Sequence, residues 1–258
     1  MDNNRISILG VHIDAATFDS MLDAIAGWIA EGTSTHQVCT ASPEFVIMAQ
    51  EDADFMRVLY EADLCVADGV GLLFAARYLG HRLPQRVTGS DGVPLLAARA
   101  AQTGWRLFLL GAAPGVAEQA AQKLTEQNPG LQIAGTYAGS PAPDEAADII
   151  ARINASRADV LLVAYGAPRQ DKWINRYRDQ LDVSAAIGIG GAFDFIAGVV
   201  PRAPRWMRRL ALEWLFRLLR QPWRWRRMLR LPRFVWLVLR CRDRALAECR
   251  NTKRGENS

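Results

Sequence analysis

The chain has 258 residues, half of them apolar, which is enough to bury a substantial core, yet no uninterrupted apolar run is long enough to span a bilayer. The formal net charge of +4 conceals an asymmetry: residues 201–258 hold 17 basic side chains against 4 acidic ones, and the first 200 residues hold 14 against 23. The start lacks a basic-then-apolar pattern, so no secretory signal is expected, and four cysteines without a CxxC pair fit reduced thiols rather than a disulfide framework.

Ile6–Leu9 and Val11–Ile13 read as short strands, and Ala16–Glu31 as a helix with an apolar stripe at Met21, Ile25, Trp28 and Ile29. Gln37–Thr40 is a further strand, after which Ser42 can cap a helix that has Pro43 in its first turn. Capping accounts for Ser42; it does not account for Thr40, a hydroxyl at a strand end. Asp52-Ala-Asp54 has the DxD form that many sugar-nucleotide enzymes use for a divalent metal, but it falls in a polar connection where solvated carboxylates are the commoner reading.

Leu64–Ala67 is a strand, followed by a turn at Asp68-Gly69 and a helix carrying Leu72, Leu73, Ala76 and Leu79. A carboxylate at the C-terminal end of a strand sits where open α/β sheets bind ligands, and it can serve there as a general base. The alternative is that Asp68 merely caps the helix that follows. Arg86–Asp91 precedes a helix expected at Pro94–Gln102. Then come a strand at Arg106–Leu110, a glycine turn at Gly111–Gly115 and a helix at Val116–Gln127, the opening of a Rossmann-like unit. No full GxGxxG is present, so the unit speaks for an α/β sheet more than for NAD.

Leu131–Tyr137, Asp159–Ala164 and Ala185–Gly190 read as strands and Pro143–Ala155 as a helix, with polar stretches at Tyr165–Trp173 and Gly191–Phe195. The expected fold is a Rossmann-like α/β domain over residues 1–198, a mostly parallel sheet flanked by helices. Thr40, Asp68, Gln170 and Asp194 each follow a different strand, a coincidence that favours one shared cleft.

Residues 199–258 form an Arg/Trp-rich appendage with five of the eight tryptophans. Trp206, Leu210, Trp214 and Leu218 recur at intervals of four on one helical face, and Pro222 and Pro232 break the segment into pieces too short to span. Arginine-rich helices with Trp and Leu opposite suit in-plane binding to anionic lipid. Nucleic acid and simple packing on the domain are the rival readings; the density of Trp and Leu favours the membrane.

TASPE at Thr40–Glu44, ADGVG at Ala67–Gly71, RVTGSD at Arg86–Asp91, GAPRQDKW at Gly166–Trp173, GAFDFIAG at Gly191–Gly198 and the RAPRW…LEWLFRLLRQPWRWRR tail together resemble the WecG/TagA/CpsF glycosyltransferase family. The resemblance implies an inverting enzyme at the cytoplasmic face of the bacterial inner membrane, held there peripherally. It would move a sugar from a UDP-sugar to a polyprenyl-diphosphate-linked sugar, with no cofactor and no nucleic acid. In the prototypes the donor is UDP-N-acetylmannosamine or its uronic acid, the acceptor undecaprenyl-diphosphate-GlcNAc, and the bond β-1,4; other relatives transfer glucose. A non-catalytic membrane scaffold of glycan assembly is the alternative.

Carried over by motif, the catalytic Asp falls on Asp68, the active-site Thr on Thr40, the PxQ glutamine on Gln170, and the appendage arginines on Arg217, Arg224 and Arg227. Those arginines would neutralise the departing diphosphate without a metal. Tyr137 and Asp194 are the candidate uridine contacts. Two departures stand out: the usual TxN is Thr40-Ala41-Ser42, which leaves the donor sugar open, and the usual QE is Gln170-Asp171.

Overall fold

Short runs rich in Val, Ile, Leu and Ala alternate with amphipathic helices, the pattern of a sheet buried on both faces. In the computed structural model, which describes residues 5–204, 207, 213–220, 225 and 229–241, six of these runs pair side by side. They are β3 (His36–Ala41), β4 (Leu64–Ala67), β5 (Arg106–Gly111), β6 (Gln132–Tyr137), β7 (Val160–Ala164) and β8 (Ala185–Gly188). Every pairing is parallel, in the order β4-β3-β8-β7-β5-β6. A separate antiparallel hairpin, β1 (Arg5–Ile8) and β2 (Val11–Asp14), covers the β4 edge: Asp14 accepts the Cys65 N–H at 2.7 Å and pairs with Arg5 at 2.9 Å. Covering an edge strand in this way removes a template for unwanted pairing.

Alternate side chains along each strand feed opposite cores. Val38, Val66, Leu107, Leu109, Val160 and Leu162 face one layer. That layer is formed by α1 (Phe18–Glu31), α5 (Gly89–Thr103), α6 (Val116–Gln127) and α9 (Ala192–Ala197). On the other face, Cys39, Ala41, Cys65 and Ala67 meet α2 (Pro43–Glu51), α3 (Ala53–Glu61) and α4 (Val70–Tyr78). Further along that face Phe108, Leu110, Leu161 and Val163 meet α7 (Ala146–Ser156) and α8 (Arg169–Tyr177).

Helix starts follow local chemistry. Thr17 and Ser20 form a capping box on α1, and Ser42 caps α2 with Pro43 in the first turn, as expected. The main correction is α5, which starts at Gly89 rather than Pro94. Thr88 caps it by accepting the Asp91 N–H at 3.0 Å, and Gly89 lies so close to Ile189 that a Cβ would come within 2.9 Å of the Ile189 carbonyl. The cap and this close approach outweigh the preference of Pro94 for a first turn.

Beyond α9, several of the described residues pack on the domain. Arg202 pairs with Asp91 at 2.5 Å, and Ala203 and Met207 are buried. A helix over 230–241 inserts Phe234 and Val238 into the core beside α2 and α4. Among the described residues, no helix is long and apolar enough to cross a membrane.

Candidate active site

All six parallel strands point their C-terminal ends to one side, where loops and helix starts can converge on a ligand. A cavity of about 690 Å³ opens over β3, β4 and β8. Its floor is polar, with Thr40, Ser42, Asp68, Arg86, Thr88, Ser90 and Gln170 along it. Its outer wall is apolar, built from Phe74 and Tyr78 of α4 and from Leu231, Phe234, Val235 and Val238 of the C-terminal helix.

Each floor residue is placed by backbone structure. Thr40, nearly buried on β3, donates its hydroxyl to the Gly188 carbonyl at 2.8 Å, tying β3 to the end of β8. Asp68 follows β4, and its N–H donates to the Ala41 carbonyl at 2.6 Å, extending the ladder by one step. The capping position of α4 is Gly69, not Asp68, so Asp68 stands one residue outside the helix, on the cavity floor. Glycine is required there: Cβ atoms at Gly69 and Gly71 would lie 2.6 Å and 2.8 Å from the Pro43 ring. The starts of α2 and α4 can therefore close on one another, bringing Ser42 and Asp68 to the same cavity.

Gln170 is fully buried and locks two loops. Its Oε1 accepts the Gly166 N–H at 3.1 Å and the Gly190 N–H at 3.0 Å, joining the turns after β7 and β8. Arg86, Thr88 and Ser90 enter from the start of α5, a segment anchored by the Val87 N–H donating to the Ala67 carbonyl at 2.8 Å. Burial raises the Asp91 carboxyl, but Thr88, Arg202 and Arg86 more than offset this and hold it below the usual range. Sequence reasoning singled out RVTGSD as a motif without assigning these side chains to a site. The Thr88-x-x-Asp91 spacing is the helix-start signal that could have placed them.

The cavity thus gathers Thr40, Ser42, Asp68 and Gln170. Asp194 lies on α9, its carboxylate beside the wall residue Gly191, and Tyr137 ends β6 at the far edge of the sheet under the Arg152 guanidinium; neither lines the cavity. Arg217 belongs to the helix Glu213–Arg220, described there through its backbone, and Arg224 and Arg227 lie outside the described residues. The DxD carboxylates serve local structure. Asp52 caps α3 and meets Lys172 at 2.8 Å; Asp54 meets Arg57 at 2.8 Å and Lys172 at 2.9 Å. Hydrogen bonds from Lys172 to Asp52, and from Arg57 to Asp54, hold both carboxyls below the usual range.

The C-terminal helix is fastened over α2 by charge as well as by burial. Arg230 pairs with Glu44 at 3.1 Å, and Arg233 pairs with Glu51. Above the cavity Phe74, Val235 and Leu239 remain 68%, 54% and 43% exposed, an unusual amount of apolar surface beside a carboxylate.

Residues 6–247 match the model of the Glycosyl transferase WecG/TagA/CpsF family. The chain is 38% identical over 205 residues to the N-acetylglucosaminyldiphosphoundecaprenol N-acetyl-beta-D-mannosaminyltransferase of Bacillus subtilis (strain 168), covering 79% of this chain and 78% of that protein. The protein of the same name from Bacillus spizizenii is 36% identical, with 82% and 81% covered. That from Staphylococcus aureus (strain MW2) is 29% identical, with 92% and 93% covered.

Proposed function

The chain belongs to the WecG/TagA/CpsF glycosyl transferase family, and on that premise we propose that it moves a hexosyl group from a UDP-sugar to a polyprenyl-diphosphate-linked sugar at a membrane surface. The product bond is β-1,4 and the chemistry inverting. N-acetylmannosamine, the group named in the relatives, is the first donor sugar to test, and glucose the second. The observation that carries this reading is the divided cavity: Asp68, Thr40 and Arg86 on one side, and an exposed apolar wall on the other. An amphiphilic acceptor, sugar diphosphate at one end and lipid at the other, matches that division.

In this mechanism Asp68 takes the proton from the acceptor hydroxyl as its oxygen attacks the anomeric carbon from the face opposite UDP. A carboxylate in that role contributes on the order of 100- to 10,000-fold. Charge growing on the departing diphosphate is met by guanidinium groups, with Arg86 joining Arg217, Arg224 and Arg227, and by backbone N–H groups. Thr40 and Gln170 hold the loops that carry these groups, and Ser42 faces the donor where the family pattern has an amide. Asp194 and Tyr137 contact the uridine from beyond the cavity wall. Residues 1–198 form the catalytic unit, and 199–258 bring it to anionic lipid through their basic and aromatic side chains.

The test is a panel of UDP-sugars offered with lipid-diphosphate GlcNAc and lipid-diphosphate glucose on anionic vesicles, with and without EDTA. Transfer from one UDP-sugar that survives EDTA is expected. No transfer to either acceptor from any donor would overturn the reading.

A further inference from the structure

Asp171 follows Gln170 in the first turn of α8, and both side chains are fully buried. A carboxyl in such a place is costly unless it is neutralised or well paired. The titratable groups facing it are the thiols of Cys39 on β3 and Cys65 on β4. The other polar neighbours are Gln170 on its own helix and Gln37 on β3, whose Nε2 donates to the Asp171 backbone carbonyl at 2.9 Å. Among the described residues, no hydrogen bond of ordinary geometry reaches either Asp171 carboxyl oxygen or the Gln170 Nε2, and Asp171 interacts with the Gln170 amide and the Cys39 thiol at looser geometry. These groups meet over Gly188, where a Cβ would lie 2.5 Å from the Asp171 Oδ1 and 2.6 Å from the Gln170 Nε2.

Gly188 is also the residue whose carbonyl receives the Thr40 hydroxyl, and Gln170 is the residue whose Oε1 joins Gly166 to Gly190. We propose that Asp171 is a positioning residue: through the Gln170 amide and the Gly188 Cα it fixes the two glycine loops on which the cavity floor is built.

The arrangement works with the carboxyl uncharged. Burial pushes Asp171 up to about 7, and burial also raises both thiols, so the group of side chains carries no charge below neutrality. A neutral acid keeps the Gln170 NH2 on its side and leaves the Gln170 Oε1 aimed at Gly166 and Gly190. Ionisation would set an anion against Gly188 with no cation beside it. The remedy is entry of water to the buried anion, which loosens the loops. The consequence for turnover rests on the transferase reading above; the structural part does not.

Two measurements on the full chain test this. In protein labelled with 13C at aspartate carboxyls, one resonance should titrate near neutrality, be absent from Asp171→Asn, and be accompanied by shifts of the Gly166 and Gly190 amides. Titration of that carboxyl in the ordinary aspartate range, or amides that ignore it, would refute the proposal even if no sugar were transferred. For turnover, kcat/KM of the wild type on lipid-linked acceptor should fall as pH rises above neutrality, by up to about tenfold per unit. Asp171→Asn, which mimics the neutral acid, should match the wild type near pH 6 and hold its activity where the wild type declines. Superimposable profiles, or a folded Asp171→Asn as impaired as Asp171→Ala, would also refute it.

Discussion

The floor of the cavity and its outer wall are held in place by different forces. Thr40 and Asp68 stand at strand ends and Gln170 in the first turn of α8, each fixed by a hydrogen bond to or from backbone: the Gly188 carbonyl, the Ala41 carbonyl, and the Gly166 and Gly190 N–H groups. The C-terminal helix depends on Phe234 and Val238 in the core and on ion pairs from Arg230 and Arg233 to Glu44 and Glu51. The floor is tied to the sheet by backbone hydrogen bonds, whereas the C-terminal part of the wall is held by side-chain packing and ion pairs. On the proposed function, a backbone-fixed floor beside a wall held by side chains would suit an enzyme that meets a lipid-linked acceptor.

The comparison breaks most visibly at Asp68. Asp68→Asn keeps the shape of the floor and should lower kcat by about 100- to 10,000-fold while UDP binding, read by calorimetry, stays close to wild type. Wild-type turnover would remove the base from the mechanism.

The next effect lies beneath the floor. Because Asp171 is raised from its unfolded value to about 7, the folded state loses stability as pH rises from about 4 to about 7 and recovers none above that. Three units at ~1.4 kcal/mol each make the loss about 4 kcal/mol, and Asp171→Asn should abolish it. Thermal unfolding of the two proteins should therefore agree at the acid end and diverge by neutrality, with the variant the more stable.

At the wall, Phe234→Ala removes a buried aromatic side chain, a change worth about 3 kcal/mol in a well-packed core. Here it should free the C-terminal helix rather than melt the sheet. Hydrogen exchange should rise over 230–241 and leave β3 and β8 protected, while KM for the lipid acceptor increases more than KM for the donor. Uniform loss of protection would show that wall and floor are one cooperative unit.

Smaller again, Thr40→Val removes the hydroxyl given to Gly188 and should cost about 1 kcal/mol in stability by denaturant unfolding. Arg233→Ala breaks a half-exposed ion pair and should lower the unfolding free energy by well under about 1 kcal/mol, less still in high salt.

How legible these features were in the sequence depended on range. Ser42 announced itself as a cap and Leu64–Ala67 as a strand because a few neighbouring residues decide such things. Whether Asp68 caps α4 could not be told until Gly69 was seen to hold the capping position close against Pro43; its role as a base stays a proposal. The start of α5 was missed because Pro94 is the louder local signal; the Thr88 cap and the contact of Gly89 with Ile189 show why the helix begins earlier. Asp194 was grouped in the chain with Thr40, Asp68 and Gln170, and Tyr137 was read only as a uridine contact. Strand order puts Tyr137 at the opposite edge from Asp68, while Asp194 lies on α9 beside Gly191.

By itself the sequence determined the alternation of strand and helix, the buried parallel sheet, the basic and aromatic end of the chain, and the motifs that mark the family. Apolar periodicity and capping are short-range properties, written in neighbouring residues. Only the tertiary structure decided that β3, β4 and β8 would share one crest, that Arg86 and the C-terminal helix would close the cavity, and that Asp171 would lie buried beneath it. Those outcomes depend on contacts between residues far apart in the chain, and on the low polarity of an interior that exists only once the sheet is covered.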